Sequence, residues 1–201
     1  MDTGGLSSLT RDELNLLLES RLDHHLCDVP PEQDDGYYPA AVMILIVRAS
    51  NTWNILFTQR TENVRDHKGQ VSFPGGAWEQ EDLCLRDTAL RETKEEIGIK
   101  PEDVQVIGSL SPEKTVTGYY IVPFIGMIDW PYPYKLQEDE VENVFVLPLA
   151  WLQDKANLEE REFTVPDRNI KRMALFFKEK DGHLVWGITA MLTIKLLELI
   201  K

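Results

Sequence analysis

The sequence predicts an α/β domain with a mixed β-sheet sandwiched between α-helices and an extra helix at the N-terminus. Apolar runs typical of strands begin at Ala40 and recur along the chain. Between and after these runs, apolar residues recur at helical spacing. The 201 residues, 43% of them hydrophobic, are enough for one domain with a sizeable core. Strands mixed with helices favour a layered architecture.

The first helix is predicted near the N-terminus. Thr10 followed by Glu13 has the pattern of a capping box. Leucines follow at helical spacing, at Leu14, Leu17, Leu18 and Leu22. Pro30-Pro31 and the turn Asp34-Asp35-Gly36 then interrupt the chain. We therefore assign residues 1–39 to an N-terminal helix and linker, packed on a main domain that spans residues 40–201.

The main domain is predicted to begin with strands. Ala41–Val47 is a continuous apolar run, as expected of a central strand buried on both faces. The turn Asn51-Thr52 leads into a returning strand over Trp53–Thr58. Val71–Phe73 is predicted as a short strand that ends at Pro74-Gly75-Gly76.

One long helix is predicted over Asp82–Ile97, and Gly98 ends it. Leu83, Leu90 and Ile97 recur every seven residues, so this side of the helix is expected to pack on the sheet. Further strands are predicted at Val104–Ile107, Gly118–Ile128 and Val144–Leu147.

The C-terminal part is predicted to contain two helices and a pair of strands. Pro148 fits the first turn of a short helix. Arg172–Phe177 and Leu184–Trp186 are expected to pair around the turn Asp181-Gly182. Gly187–Lys201 is predicted as an amphipathic helix.

Charge and hydropathy exclude several classes of function. The chain has 21 Lys and Arg against 34 Asp and Glu, a formal charge of −13, which argues against nonspecific binding to nucleic acid or to an anionic membrane. Ala40–Val47, the longest apolar run, is too short to span a bilayer. Because the acidic N-terminus also lacks the features of a signal peptide, a cytoplasmic protein is expected. An acidic protein that acts on an acidic substrate needs a cation between them, such as a carboxylate-bound divalent metal ion.

Three glutamates on the long helix form the first candidate site. At about 100° per residue, Glu92, Glu95 and Glu96 lie on one helix face. Such a cluster can be a solvated surface, can pair with Arg91 and Lys94, or can bind a metal ion. Oxygen ligands at this spacing suit Mg²⁺ or Mn²⁺.

The surroundings of these glutamates resemble the signature of the Nudix hydrolases. After Gly76 come five residues, Asp82, eight residues, and then Arg91-Glu92 and Glu95-Glu96, followed by Gly98-Ile99. Three departures from the general pattern are present. Asp82 stands where Glu is usual, the gap before Arg91 is one residue longer, and Thr93 replaces an aliphatic residue.

A second signature resembles that of the coenzyme A diphosphatase branch of this family. Leu56–Thr61 reads Leu-Phe-Thr-Gln-Arg-Thr and is followed at the expected gaps by Arg65, Gly69 and Phe73–Gly76. The longer gap before Arg91 is itself a feature of this branch. The resemblance covers residues 40–195 and implies the Nudix fold; it also includes Asp139-Glu140-Val141 and Trp186–Ala190.

The resemblance implies a metal-dependent diphosphatase. The ions would be Mg²⁺ or Mn²⁺, and the implied ligands are Glu92, Glu95, Glu96 and the carbonyl oxygen of Gly76. Arg91 is expected to orient a helix carboxylate rather than to contact substrate, with Asp87 as a local partner. The general base is left open between Glu92 and a loop carboxylate, which would be Glu140 or Glu62.

Substrate recognition is predicted from residues that precede the metal helix. Gly75 and Gly76 would let the backbone approach a diphosphate closely. A basic stretch could bind phosphate or merely balance the acidic surface; its members are Arg60, Arg65, His67 and Lys68. Tyr119 and Tyr120 could stack on adenine or belong to the core.

The resemblance implies hydrolysis of coenzyme A or acyl-coenzyme A to 3′,5′-ADP and (acyl-)4′-phosphopantetheine. One alternative is another nucleoside diphosphate derivative, such as ADP-ribose or NADH. A second alternative, a Nudix-fold binding module without catalysis, is disfavoured because all three helix glutamates are present. No nucleic-acid or membrane partner is expected, and the N-terminal helix could serve a homodimer interface.

Overall fold

A mixed eight-stranded β-sheet forms the centre of the protein. The computed structural model describes residues 6, 8–24, 36–61, 69–165 and 170–201. In chain order the strands of this sheet are β1 (Tyr38–Ala49), β2 (Thr52–Arg60), β3 (Val71–Ser72), β4 (Gly75–Ala77), β5 (Gln105–Ser109), β6 (Glu113–Lys114), β7 (Tyr119–Met127) and β8 (Val141–Pro148). A separate antiparallel ribbon consists of β9 (Leu158–Val165) and β10 (Ile170–Phe177).

Helices pack on both faces of the sheet. They are α1 (Arg11–Glu19), α2 (Leu85–Ile97), α3 (Leu149–Gln153) and α4 (Gly187–Leu199), with 3₁₀ turns at Pro101–Asp103 and Lys155–Asn157. The predicted mixed sheet between helices is therefore confirmed. No helix in the described part of the chain is long and apolar enough to cross a membrane.

Strand β1 lies at the centre and has three partners. It pairs in parallel with β7 along most of its length, and its second half pairs antiparallel with β2. At its first half the edge facing β2 is taken by β4, where Val42 lies opposite Gly75 and Ala41 opposite Gly76. The short β3–β4 segment thus enters between β1 and β2, and this insertion brings two glycines to the middle of the sheet.

The side chains of β1 alternate between two hydrophobic layers. Ala41, Met43, Leu45 and Val47 belong to the layer shared with α2, whereas Ile44 and Ile46 belong to the layer shared with α1, α3 and α4. From Met43 to Val47 every residue is fully buried, which confirms the predicted central strand covered on both faces.

The N-terminal helix is present and packs on the main domain. Its predicted capping box forms, because the Thr10 hydroxyl accepts from the Glu13 N–H and the Glu13 carboxylate accepts from the Thr10 N–H. Leu14 and Leu18 are fully buried in the layer with α4. The indole N–H of Trp53 donates to the carbonyl of Leu9 at 3.0 Å, so the segment contributes to the core of the domain.

The prediction that Leu83 packs on the sheet is wrong. Leu83 is 80% exposed, because the helix begins at Leu85 and Leu83 lies in the preceding loop, outside the helical periodicity. The other two predicted residues do face the sheet, since Ile97 is buried in its hydrophobic layer and Leu90 is partly buried against it; Leu85 and Ala89 complete this side of α2.

The predicted strand pairing near the C-terminus is confirmed only in part: antiparallel bridges flank the predicted turn, but they do not form a strand pair. Strand β10 pairs with β9, a strand that the sequence did not reveal, whereas Leu184–Trp186 contributes only the single bridge between Trp186 and Phe176. Strand β9 carries four charged residues in its first five positions, so it lacks the apolar pattern on which strand prediction depends.

Candidate active site

Helix α2 and strand β4 meet where the two glycines lie. Gly98 ends the helix in the left-handed conformation with φ 71°, as predicted. At Gly76 the strand backbone lies so close to the helix that a Cβ atom there would be 2.3 Å from Oε1 of Glu92. A Cβ atom at Gly75 would meet the carbonyl oxygen of Ala41, also at 2.3 Å. Glycine is therefore required at both positions by close approach.

Arg91 joins the two elements at this meeting point. Its guanidinium donates from Nε and Nη2 to the two oxygens of Asp82, both at 3.0 Å. It also donates to Glu92 Oε1 at 2.9 Å, to Glu95 Oε2 at 3.0 Å and to the carbonyl of Ala77 at 3.1 Å. The expected contact of Arg91 with helix carboxylates is thus observed.

Asp82, not Asp87, is the fixed partner of Arg91. Its side chain is 5% exposed and accepts further hydrogen bonds from the Thr88 hydroxyl and the Glu79 N–H. Desolvation raises the pKa of the Asp82 carboxyl, but the hydrogen bonds from Arg91, Glu79 and Thr88 outweigh this effect and hold the pKa below its ordinary value. Asp87 instead lies 3.8 Å from Arg86.

Glu96 is the most buried carboxylate of the cluster. Its side chain is 4% exposed, and Oε2 is buried without a hydrogen-bond partner among the described residues. Arg60 places Nη1 3.7 Å from Oε1. The pKa of Glu96 is raised to about 8, mainly by desolvation. The charges of Glu92 and Glu140 also raise this pKa, whereas the charge of Arg60 lowers it.

Glu92 and Glu95 differ in their surroundings although they are three residues apart. The Glu92 side chain is 16% exposed, and desolvation raises its pKa above the ordinary value against the opposing hydrogen bond and charge of Arg91. The Glu95 side chain is 58% exposed and reaches back to Arg91. Glu92 therefore belongs to the buried side of the cluster together with Glu96, whereas Glu95 lies at its outer edge.

Glu140 approaches the cluster from the loop between β7 and β8. The loop is held to α2 because the N–H groups of Lys135 and Gln137 donate to the backbone carbonyls of Ile97 and Glu96, respectively. Its other end is held to β2, where Thr61 donates its N–H to the Glu140 carbonyl at 3.0 Å. Glu140 is exposed, and its charge raises the pKa of both Glu92 and Glu96.

The predicted substrate-binding residues are placed only in part. Arg60 lies at the end of β2 beside Glu96, and Gly75 and Gly76 lie in β4. Arg65, together with Glu62, His67 and Lys68, lies outside the described residues. Of the two tyrosines with open assignments, Tyr120 is partly buried against the α2 layer and Tyr119 is 39% exposed.

The carboxylates fit a divalent metal ion of the Mg²⁺ type. No three His, Cys, Asp or Glu side chains of the described ranges are gathered into a ready-made metal site. Mg²⁺ usually binds through one or two carboxylates and completes its shell with water and substrate phosphate oxygens. Glu92 and Glu96, with the unpartnered Oε2 of Glu96 and the adjacent Gly76 backbone, provide such a donor set.

Sequence reasoning missed the roles of two residues in the site, although one of them, Thr61, ends the Leu56–Thr61 motif. Thr88 holds Asp82 through its hydroxyl, and Thr61 anchors the loop that carries Glu140. No local sequence pattern indicated these roles. Thr61 contacts a segment that is distant in sequence, and Thr88 contacts Asp82 in the loop before the helix. The Thr61 hydroxyl donates to the backbone carbonyl of Asp139, and the two residues are 78 positions apart in the chain. No single motif therefore contains both.

Comparisons with known proteins converge on one family. The NUDIX domain model matches residues 37–166. Proteins named uncharacterized Nudix hydrolase NudL from Escherichia coli strain SMS-3-5 and Shigella boydii serotype 4 are 49% and 50% identical over 151 residues, 75% of this chain and 77% of each relative. Among solved structures, a C. elegans Ap4A hydrolase binary complex is 18% identical with a TM-score of 0.48, covering 55% of this chain and 80% of that chain. RenU, a Nudix hydrolase from M. smegmatis, is 16% identical with a TM-score of 0.49, covering 59% and 75%.

Proposed function

Since this chain belongs to the Nudix family and is a hydrolase of diphosphate bonds, we propose that its substrate is coenzyme A or acyl-coenzyme A. The products would be 3′,5′-ADP and 4′-phosphopantetheine, or its acyl derivative. One observation carries the proposal: Arg60, from the motif that resembles the coenzyme A branch, lies 3.7 Å from Glu96, from the helix motif of the whole family. The two motifs thus meet in one site.

Glu92 and Glu96 are the residues that would hold Mg²⁺ or Mn²⁺, with the Gly76 carbonyl as a further ligand. A divalent ion there supplies charge neutralisation of the diphosphate oxygens and lowers the pKa of a bound water. Glu95 serves at the outer edge, where it pairs with Arg91. Arg91 fixes the position of Glu92 and ties β4 to α2, so it is a positioning residue.

Hydrolysis requires that water attack one phosphorus while the bond from that phosphorus to the bridging oxygen breaks. Two phosphomonoesters result, and the attacking water loses a proton. Glu140 is our candidate for the base that accepts it, because it is exposed and its charge acts on both Glu92 and Glu96. Arg60 is suited to bind a phosphate oxygen, since its fork of N–H groups matches phosphate geometry.

The experiment that tests the proposal is product analysis by mass spectrometry. The purified protein is incubated with coenzyme A and Mg²⁺ or Mn²⁺, and parallel reactions contain dephospho-coenzyme A, ADP-ribose and NADH. EDTA and the Glu96→Gln variant are the controls. We expect metal-dependent 4′-phosphopantetheine, slower turnover of dephospho-coenzyme A, and little turnover of the other two compounds.

Other outcomes separate the parts of the proposal. Rapid turnover of ADP-ribose or NADH with inert coenzyme A would retain the glutamate chemistry and refute the substrate. Equal turnover of coenzyme A and dephospho-coenzyme A would show that the enzyme does not recognise the 3′-phosphate, which coenzyme A carries besides its diphosphate, and would refute the expected preference for coenzyme A. Full activity in EDTA would refute the metal assignment.

A further inference from the structure

Two tyrosine rings are exposed at the end of the sheet that carries the candidate site. Tyr38 begins β1, Tyr119 begins β7, and the two residues lie opposite each other in the parallel pairing. They are 68% and 39% exposed. Their ring centroids are 6.2 Å apart, and the ring planes are inclined by 49°. Among the residues that the structure describes, neither hydroxyl has a hydrogen-bond partner.

The backbone beneath these rings is held by hydrogen bonds. The N–H of Tyr38 donates to the carbonyl of Gly118 at 2.8 Å, and the N–H of Tyr119 donates to the Thr115 hydroxyl at 3.0 Å. The N–H of Thr115 in turn donates to the carbonyl of Tyr119 at 2.8 Å. The two rings therefore project from well-anchored strands, and together they form an exposed aromatic patch.

A strip of the sheet whose side chains are only in part fully covered lies between this patch and the two glycines. Because side chains alternate along a strand, Tyr38 lies on the same face of β1 as Val42, which is the face opposite α2. Val42 is only partly buried although it belongs to the central strand, and Ile121 on the neighbouring strand β7 is also only partly buried. Val42 lies opposite Gly75, so the strip leads from the tyrosines to β4.

We propose that Tyr38 and Tyr119 bind the nucleobase of the nucleoside diphosphate substrate. The inference rests on the proposed function, because it needs the diphosphate to lie at Gly75 and Gly76. Tyr38 precedes Ala41, the partner of Gly76, by three residues, which corresponds to roughly 10 Å along the strand. The base would extend from the diphosphate over that length, past the two glycines, which have no side chains of their own.

The geometry of the ring pair selects how the base binds. Rings whose centroids are 6.2 Å apart leave too little space for a third ring between them, since stacked rings are separated by about 3.5 Å. The base therefore stacks on the exposed face of one tyrosine and meets the edge of the other. A flat heteroaromatic ring gains from both arrangements, whereas a flexible chain such as pantetheine gains only from burial.

The test uses substitutions that keep or remove the rings. The double variant Tyr38→Leu/Tyr119→Leu removes them and retains apolar side chains, and Tyr38→Phe/Tyr119→Phe retains the rings without hydroxyls. Tyr134→Leu is the matched control, because Tyr134 has the same 39% exposure as Tyr119. Affinity for AMP and for ribose 5-phosphate, which lacks the base, is measured by calorimetry without metal, and KM and kcat are measured with coenzyme A.

We expect the wild type, the phenylalanine variant and the Tyr134 variant to bind AMP at least about fivefold more tightly than ribose 5-phosphate. The leucine double variant is expected to bind both ligands equally and to show a KM for coenzyme A raised at least about fivefold at nearly unchanged kcat. Equal AMP binding by the wild type and the leucine variant, or an unchanged KM, overturns the inference. If the wild type hydrolyses none of the diphosphates but its AMP binding depends on the rings, the proposed function fails and the base site stands.

Discussion

At the scale of single residues, the ion pair between Asp82 and Arg91 organises the site. Asp82 is buried and accepts two parallel hydrogen bonds from the guanidinium, which leaves Nη1 of Arg91 to face Glu92 and Glu95. A bidentate pair is stronger and better defined in geometry than a single charged hydrogen bond. The position of Glu92 thus depends on Asp82 through Arg91.

The Asp82→Asn variant is expected to lose about 1–3 kcal/mol of unfolding free energy at pH 7, because the partly buried guanidinium of Arg91 would lose its buried charged partner. The pKa of Asp82 in the folded state lies below its ordinary value of 3.8, so its carboxylate stabilises the fold above that value. This contribution disappears as the pH falls through the lower, folded-state pKa. Urea denaturation at pH 7 and near pH 3 should therefore show the difference from wild type shrinking in acid. Asp87→Asn, whose carboxylate is paired only loosely with Arg86, is the control and should differ little at either pH.

Glu95 and Glu96 are adjacent residues with contrasting surroundings, and we expect contrasting effects of their substitution. Glu96→Gln should lower the metal-dependent rate by at least about 10²-fold while the protein stays folded, because Glu96 is buried with an unpartnered oxygen. Glu95→Gln should lower the rate less than about tenfold, since it removes one exposed ion pair. Steady-state rates with Mn²⁺, together with circular dichroism of both variants, check this order. Equal losses in the two variants would contradict our assignment of Glu95 to the outer edge.

At the scale of elements, β4 brings the sheet into contact with the side of α2 that carries the glutamates. It is three residues long, yet it pairs with β1, and Arg91 binds the carbonyl of its last residue, Ala77. Its two glycines closely approach different kinds of atoms. Gly75 is surrounded by the backbone of Ala41 and Val42, whereas Gly76 is next to the end of the Glu92 side chain.

Alanine substitutions at these glycines should separate stability from activity. Gly75→Ala is expected to cost about 1–3 kcal/mol of unfolding free energy, because backbone atoms of β1 must move. Gly76→Ala should cost less than about 1 kcal/mol, since a side-chain end can shift. It should nevertheless reduce kcat/KM on the order of 10²-fold, because Glu92 is displaced. Denaturation curves and kinetics of both variants are the measurement, and a Gly76→Ala enzyme of full activity would argue against a role for Glu92.

At the scale of the whole molecule, the N-terminal helix is part of the hydrophobic core. It lies outside the matched domain range, which begins at residue 37. Its leucines nevertheless pack in the same layer as α4, and Arg11 forms a salt bridge with Asp129. Because Leu14 and Leu18 are fully buried within the chain, they are not available to a second copy. The homodimer interface expected for this helix stays a prediction.

Truncation of these leucines should measure how much the helix contributes. Leu14→Ala and Leu18→Ala are each expected to cost about 2–5 kcal/mol of unfolding free energy, as for other fully buried leucines. Leu16→Ala on the same helix is the control, because Leu16 is 65% exposed and should change the value by less than about 0.5 kcal/mol. Urea denaturation provides the three values. Similar small changes at all three positions would mean that the helix does not share the core.

Features that depend on local spacing could be predicted from the sequence alone. The capping box at Thr10, the apolar run of β1 and the glycine at position 98 each act within a few residues, so their structural consequences could be predicted. The helical period likewise places Glu92, Glu95 and Glu96 on one side of α2. The motifs that include Arg60 and Gly76 predicted which segments matter for chemistry, and the family assignment confirmed the Nudix prediction.

Which of these side chains are buried, and what they contact, depends on the tertiary structure. The helical period could not distinguish exposed Glu95 from buried Glu96, because that difference depends on what lies beside each side chain, and Arg60 from the distant strand β2 lies beside Glu96. The partner of Arg91 is Asp82 and not the predicted Asp87, because the loop before α2 folds back and brings Asp82 to Arg91, nine residues further along the chain. The exposure of Tyr38 beside Tyr119 follows from the parallel pairing of two strands that are far apart in sequence. Local sequence patterns specify the periodicity of a helix or strand. The burial of a side chain and the identity of its contacts depend instead on packing between segments that are distant in sequence.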